Sequence, residues 1–186
     1  MPRLLGQHIQ LREYRADDLE AICRWVNDEA TTRLLSTAYW PPQTLVDTEE
    51  FLQRMLQSSH NAFNFVIADR EDGRYLGQLD LFTVDWPLRC GKLGMVIGSA
   101  ENRGRGYGTE CARALVSLGF RELGFHRLEA HVNLDNPASQ RVLSKAGFTQ
   151  EGVRKAFIFE NGVWTDNLIY TIIAPDGAES EDACGA

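Results

Sequence analysis

Between residues 99 and 109 the chain reads Ser99-Ala-Glu-Asn-Arg-Gly-Arg-Gly-Tyr-Gly-Thr109, with glycine at the alternate positions Gly104, Gly106 and Gly108. Glycines so placed let the backbone turn through conformations closed to other residues and pass close to a ligand. Lys92 to Ile97, just before, has the make-up of a strand, and Tyr107 to Leu123, just after, that of a helix. A helix beginning at a glycine turn presents unpaired N–H groups and the positive end of its dipole, for which a phosphate or pyrophosphate is the natural occupant. Arg103 and Arg105 add charge-assisted donors. The GxxxxGK[ST] phosphate loop is absent, and the dinucleotide fingerprint GxGxxG fails because the spacing here is GxGxG. Taken alone, the segment also suits a turn that merely joins a strand to a helix.

The rest of the chain supplies a context. His8 to Tyr14 alternates apolar and polar residues, as a half-buried strand does. Asp17 can cap a helix running to about Asn27, and a second amphipathic helix spans Leu45 to Gln57 after the Pro41-Pro42 break. Thr31 to Trp40 reads as irregular. Strands are predicted at Asn64 to Asp69 and Arg74 to Phe82, joined by the turn residues Glu71-Asp72-Gly73. Another strand, Arg127 to Leu134, runs into a helix that opens on Asn136 as cap and Pro137 as first residue and closes at Gly147. The last two strands, Gln150 to Phe159 and Val163 to Ile173, meet at Asn161-Gly162, a hairpin signal. The order β-α-α-β-β-β-α-β-α-β-β predicts one α/β (α+β) domain over residues 1–174. Its mixed sheet of about seven strands carries about four helices on both faces, with the central strand–helix–strand unit parallel. Residues 175–186 are polar and acidic and are predicted to form a disordered tail.

Charge and cysteine usage narrow the function classes. The net charge of −7 argues against a nucleic-acid partner and leaves room for a cationic one. No run approaches the roughly 20 apolar residues of a membrane span, and the first residues lack a signal-peptide core. Cys23, Cys90, Cys111 and Cys184 show no ligand spacing, so they read as reduced thiols of a cytoplasmic protein without a metal site.

Several segments together resemble the GNAT superfamily of acyl-CoA-dependent N-acetyltransferases. Arg103-Gly104-Arg105-Gly106-Tyr107-Gly108 is similar to that family's pyrophosphate loop. Asn133, Asn136 and Ser139, with Lys145-Ala-Gly-Phe148, resemble its second motif. Leu11-Arg12, Asp17-Asp18, Glu151-Gly152 and Asn161 to Asp166 look like the branch containing ribosomal-protein N-terminal acetyltransferases and many small-amine acetyltransferases. The resemblance covers roughly residues 8 to 173. It implies transfer of an acetyl group from acetyl-CoA to a primary amine, either a protein N-terminus or a small amine, by direct attack in a ternary complex, with coenzyme A as product and no metal. By position, Met95, Val96 and Ile97 would meet the pantetheine arm and the thioester carbonyl. The N–H groups of residues 103 to 108, continuing into Thr109, would hold the pyrophosphate, and Asn133, Asn136 and Ser139 would line the pantetheine side.

The same resemblance assigns the chemistry less completely. In many members a tyrosine that protonates the leaving thiolate stands where this chain has Leu143, so Ser139 becomes the candidate acid. For the base, Glu129, His131 and Asn133 alternate along one strand and share a face. In a related N-terminal enzyme type a glutamate base occupies the position of His131. Asp80, a carboxylate inside the apolar run Leu79 to Phe82, is another candidate, and a water relay a third. Tyr39, Trp40, Trp86 and Trp164 are potential walls of an acceptor site between the first two helices and the final hairpin. The hairpin and the loop tryptophans are also candidates for a homodimer interface. The departure at Leu143 keeps open a non-catalytic acyl-CoA sensor or assembly module.

Overall fold

The computed structural model describes residues 4–33, 35, 39, 41–57, 63–160 and 162–175. Apolar alternation in its strands builds one mixed sheet whose two faces bury two separate clusters. The strands are β1 (Leu4–Leu5), β2 (Ile9–Arg12), β3 (Phe63–Asp69), β4 (Tyr75–Asp85), β5 (Cys90–Ile97), β6 (Arg127–Asn133), β7 (Thr149–Glu160) and β8 (Val163–Ile173). Their spatial order is β1-β2-β3-β4-β5-β6-β8-β7. All neighbours run antiparallel except β5 and β6, so the expected parallel unit sits at the centre. The seven longer strands are the ones expected, and the two-residue edge strand β1 is an eighth.

Five helices flank the sheet: α1 (Leu19–Val26), α2 (Glu29–Thr32), α3 (Leu45–Leu56), α4 (Tyr107–Ser117) and α5 (Pro137–Lys145). On one face Cys111, Ala112 and Leu115 of α4 and Leu143 of α5 meet Phe65, Ile67, Leu79, Leu81 and Leu128 of the sheet. On the other, Ile22, Trp25 and Val26 of α1 and Leu52 of α3 cover Val66, Ala68 and Val96. Among the described residues no helix is long and apolar enough to cross a membrane.

Local chemistry explains the helix ends. Thr44 and Asp47 form a reciprocal capping box at α3, Thr44 Oγ1 accepting from Asp47 N at 3.1 Å and Asp47 Oδ2 from Thr44 N at 2.8 Å. Asn136 Oδ1 accepts from Ser139 N at 3.1 Å, with Pro137 opening α5, and Gly147 closes that helix at φ +99°.

Three expectations are corrected. Asp17 does not cap α1: residues 16–18 form a 3₁₀ turn, and the buried Asp18 beside it accepts from Arg15 N at 2.8 Å and pairs with the buried Arg12 at 2.6 Å. The expected single helix to Leu123 is α4 followed by a π turn at Leu118–Glu122. The stretch read as irregular from Thr31 takes up the end of α2, a single turn whose Thr32 Oγ1 donates to Asp28 O at 3.1 Å. Trp40, Asn161, Cys184 and residues 176–186 lie outside the described residues, so the expectations placed on them do too.

Candidate functional site

β5 and β6 pair only from Cys90 to Lys92 and from Arg127 to Glu129, although β5 continues to Ile97 and β6 to Asn133. Each is held along its outer edge, β5 by β4 as far as Ile97 and β6 by β8 as far as Asn133. The two central strands therefore splay apart, leaving the inner backbone groups of residues 93–97 without ladder partners. Two clefts open at this splay. Both are lined by Leu35, Met95, Val96, Asn136 and Ser139, so those residues form a shared wall.

The first cleft, about 410 Å³, lies between the splay and the start of α4. Gly104 (φ +74°) and Gly106 (φ +89°) adopt the left-handed region, and a Cβ on either would meet no atom within 4 Å. Backbone N–H groups thus approach an open volume at a helix N-terminus, a cradle that suits a pyrophosphate. Gly108 is glycine for a different reason, since a Cβ there would press on Met95 and Val142 at 3.3 Å. Arg103 donates to Ala30 O at 3.4 Å and also to the Thr31 hydroxyl, tying the loop to α2.

Met95, Val96, Ile97, Arg103, Gly104, Gly106, Tyr107, Gly108, Thr109, Asn136 and Ser139 all line this cleft. Arg105 is exposed and does not line it. Asn133 lies on the second cleft instead, where its Oδ1 accepts from Asn167 Nδ2 at 3.2 Å. Sequence reasoning missed Arg141 and Lys145, which bring positive charge from α5 to the first cleft. Their spacing of four residues on one helix face was the available signal.

The second cleft, about 640 Å³, runs from the splay between α3 and the β7–β8 hairpin. Its floor is the sheet face carrying Gln78, Asp80 and Phe82 of β4. A directed chain orients the carboxylate: Trp25 Nε1 donates to Tyr75 OH (2.9 Å), Tyr75 OH to Gln78 Oε1 (3.4 Å), and Gln78 Nε2 to Asp80 Oδ2 (3.3 Å). Asp80 Oδ1 is buried with no hydrogen-bond partner among the described residues. Burial pushes the Asp80 carboxyl up to about 7 against the smaller opposing effect of the Gln78 bond. The phenols of Tyr14, Tyr39 and Tyr75 are raised by burial and, less strongly, by the Asp80 charge.

The far wall is built by a β-bulge. The β7–β8 register shifts between Arg154 and Ile158, and Ala156 takes φ +46°. Asp166 staples the bulge, accepting from Ala156 N at 2.9 Å and from Lys155 Nζ at 2.8 Å. Arg154, the last residue in register before the shift, and Phe157 and Ile158 beyond it line the cleft, with the Arg154 guanidinium 3.4 Å above the Phe157 ring. His131 lines the same cleft; burial first, then Lys92 and Arg154, lowers its pKa. Glu129 does not reach either cleft and accepts from Arg127 Nε at 3.0 Å. Of the expected aromatic walls, Tyr39 lines the second cleft, Trp86 packs on Phe63 and Phe125, and Trp164 stacks on Phe159 out on the hairpin.

A family model for the acetyltransferase (GNAT) domain matches residues 8–149. The chain belongs to this family. A probable N-acetyltransferase of Bacillus subtilis, YjcK, is 38% identical over 115 residues, 61% of this chain and 63% of that one. Among solved structures, RimL, a ribosomal L7/L12 α-N-protein acetyltransferase in complex with coenzyme A, superposes with a TM-score of 0.81 at 19% identity, covering 92% of this chain and 98% of its own. Spermidine N-acetyltransferase from Vibrio cholerae, in complex with CoA and spermine, superposes with a TM-score of 0.78 at 21% identity, over 90% and 96%. These likenesses show the GNAT fold. Among the described residues no group of acidic, histidine or cysteine side chains is arranged to hold a metal ion.

Proposed function

We propose that this GNAT protein transfers an acetyl group from acetyl-CoA to a primary amine in a ternary complex. The observation that carries the reading is the meeting of two clefts on one wall, Met95, Val96, Asn136 and Ser139. One cleft ends in a phosphate cradle and the other in a buried carboxylate. Acetyl-CoA supplies the activated acetyl group. The N–H groups around Gly104 to Gly108, with Arg103, Arg141 and Lys145, would hold its phosphates, and the unpaired inner edge of β5 offers N–H donors at the splay.

The chain's own residues then divide the proton work. A primary amine arrives mostly protonated near pH 7 and must lose a proton before attack. Asp80 is the carboxylate we assign to this, since it lines the acceptor cleft, its buried Oδ1 has no hydrogen-bond partner among the described residues, and its affinity for a proton is matched to neutral pH. His131 lines the same cleft as a second candidate base, whereas Glu129 is engaged with Arg127 away from it. Ser139 faces both clefts and keeps its hydroxyl available, because its backbone N–H and not its side chain completes the Asn136 cap. That makes Ser139 Oγ the proton donor for the departing thiolate. Leu143 is buried in the core, so it offers no alternative at the position where a tyrosine acid would stand. The free thiols of Cys23, Cys90 and Cys111 support a cytoplasmic setting.

The test is thiol release from acetyl-CoA against N-terminal peptides, polyamines, amino sugars and amino acids. Release with any of these amines is the expected result. CoA binding without release from any donor–acceptor pair would replace this reading with a sensor.

A further inference from the structure

The second cleft has a charge pattern that its overall acidity conceals. The protein carries a net charge of −7, yet three basic side chains, Lys92, His131 and Arg154, converge on this cleft. They come from three different strands, β5, β6 and β7, and are close enough that Lys92 and Arg154 both disfavour protonation of His131. Arg154 Nη1 stands 3.5 Å from His131 Nδ1. Among the described residues no ion pair engages Lys92 or Arg154; the nearby Asp166 is taken by Lys155, and Glu129 by Arg127. Glu129 also stands 3.7 Å from the far nitrogen of His131, which supplies one partner to the ring and none to Lys92 or Arg154.

Uncompensated cations held together cost free energy by mutual repulsion. Here the grouping is enforced by structure. Arg154 is the last residue of β7 in register before the bulge at Ala156, and its guanidinium lies over Phe157 of that bulge; backbone strain of this kind persists where the surroundings over-determine it. At the floor of the same cleft the charge reverses: Asp80 offers a buried oxygen without a donor. A single ligand that satisfies both ends carries an ammonium and an anion.

We propose that the acceptor is a small primary amine bearing a carboxylate or phosphate group, its amine end at Asp80 and its anion among Lys92, His131 and Arg154. This rests on the acetyl-transfer reading above and names its substrate class. Polycations meet repulsion at the mouth of such a cleft, so a polyamine is a poor acceptor despite the acidity of the chain as a whole. The anion-binding end requires donors only, and Arg154 and Lys92 supply them in both ring-protonation states of His131.

The experiment compares kcat/KM for matched acceptors: β-alanine and O-phosphoethanolamine, propylamine as the neutral counterpart, L-amino acids beside their amides, and spermidine. The expected result is a preference of at least about tenfold for the anionic acceptors, with the carboxylate and phosphate arms telling which anion is taken. Lys92→Met and Arg154→Met should each erode that preference about tenfold through KM, with the affinity for CoA reporting that the fold is intact. Arg154→Lys should restore part of it. Equal or better turnover of propylamine or spermidine would overturn the substrate class while leaving acetyl transfer standing. An equal loss on anionic and neutral amines in the methionine variants would also overturn it. Thiol release from none of the amines, with CoA still bound, would remove the underlying reading and this inference with it.

Discussion

Replacing Asp80 by asparagine tests the centre of the site on stability and activity at once. Its carboxyl is raised from 3.8 in an ordinary setting to about 7 in the folded chain, chiefly by burial. The unfolded chain therefore releases this proton first as pH rises. Stability contributed by the protonated form is complete below pH 4 and is lost progressively until pH passes 7. At about 1.36 kcal/mol per unit, the full loss is about 4 kcal/mol, and more than half of it develops between pH 5 and pH 8. Asparagine has the same shape, keeps an oxygen for Gln78 Nε2 and carries no charge. Asp80→Asn should be more stable than the parent at pH 8, by roughly 8–16 °C in melting temperature for a chain of this size, and the gap should shrink by more than half at pH 5. The same variant should lose acetyl transfer by roughly 10²-fold or more. In the parent, kcat/KM should rise with pH through about 7 as Asp80 becomes a base. Thermal unfolding at the two pH values, with thiol release alongside, gives both readouts. A variant no more stable at pH 8 than at pH 5, relative to the parent, would refute the buried charge; full activity in that variant would refute its role as base.

Three further outcomes are expected. Gly106→Val places a branched side chain at φ +89° in the open volume of the cradle, so CoA binding measured by calorimetry should vanish, with about 1–2 kcal/mol of backbone strain; undiminished affinity would sink the phosphate assignment. Ser139→Ala retains the N–H that caps α5, so turnover should fall about tenfold or more while CoA affinity holds, and an unchanged turnover number would take Ser139 out of the chemistry. Asp166→Ala removes two bonds from the bulge and should lower the melting temperature. It should also raise KM for the amine and leave CoA affinity alone, and an unaffected KM would show that the bulge does not shape the acceptor cleft.

The two clefts were not equally legible in the sequence. The cofactor side is encoded locally: alternate glycines, a helix start and the Asn136-Pro137 cap lie within short segments, and each has a meaning independent of the rest of the chain. Arg105 is exposed and off the cleft lining, because spacing in a turn does not say which way a side chain leaves it. Gly106 and Gly108 show the same limit, one facing open space at positive φ and the other packed on Met95 and Val142. Asn133 shares a strand face with His131, as its period of two predicted, but β8 on the other side draws its side chain to Asn167.

The acceptor side is assembled across strands that are distant in sequence, so no local pattern could announce it. Asp80 stood out only as a charge in an apolar run; the relay through Trp25, Tyr75 and Gln78 that leaves one of its oxygens free depends on α1 packing over β4. The bulge at Ala156 has no glycine to mark it, because Asp166 on the partner strand holds an ordinary residue at positive φ. Net charge leaves room for a cationic acceptor because it sums over the whole surface, whereas the proposed recognition rests on the few groups that line a cleft. Charges spread over the exterior are screened within about 10 Å, so the acidic residues there act weakly on a ligand seated among the groups that line the cleft.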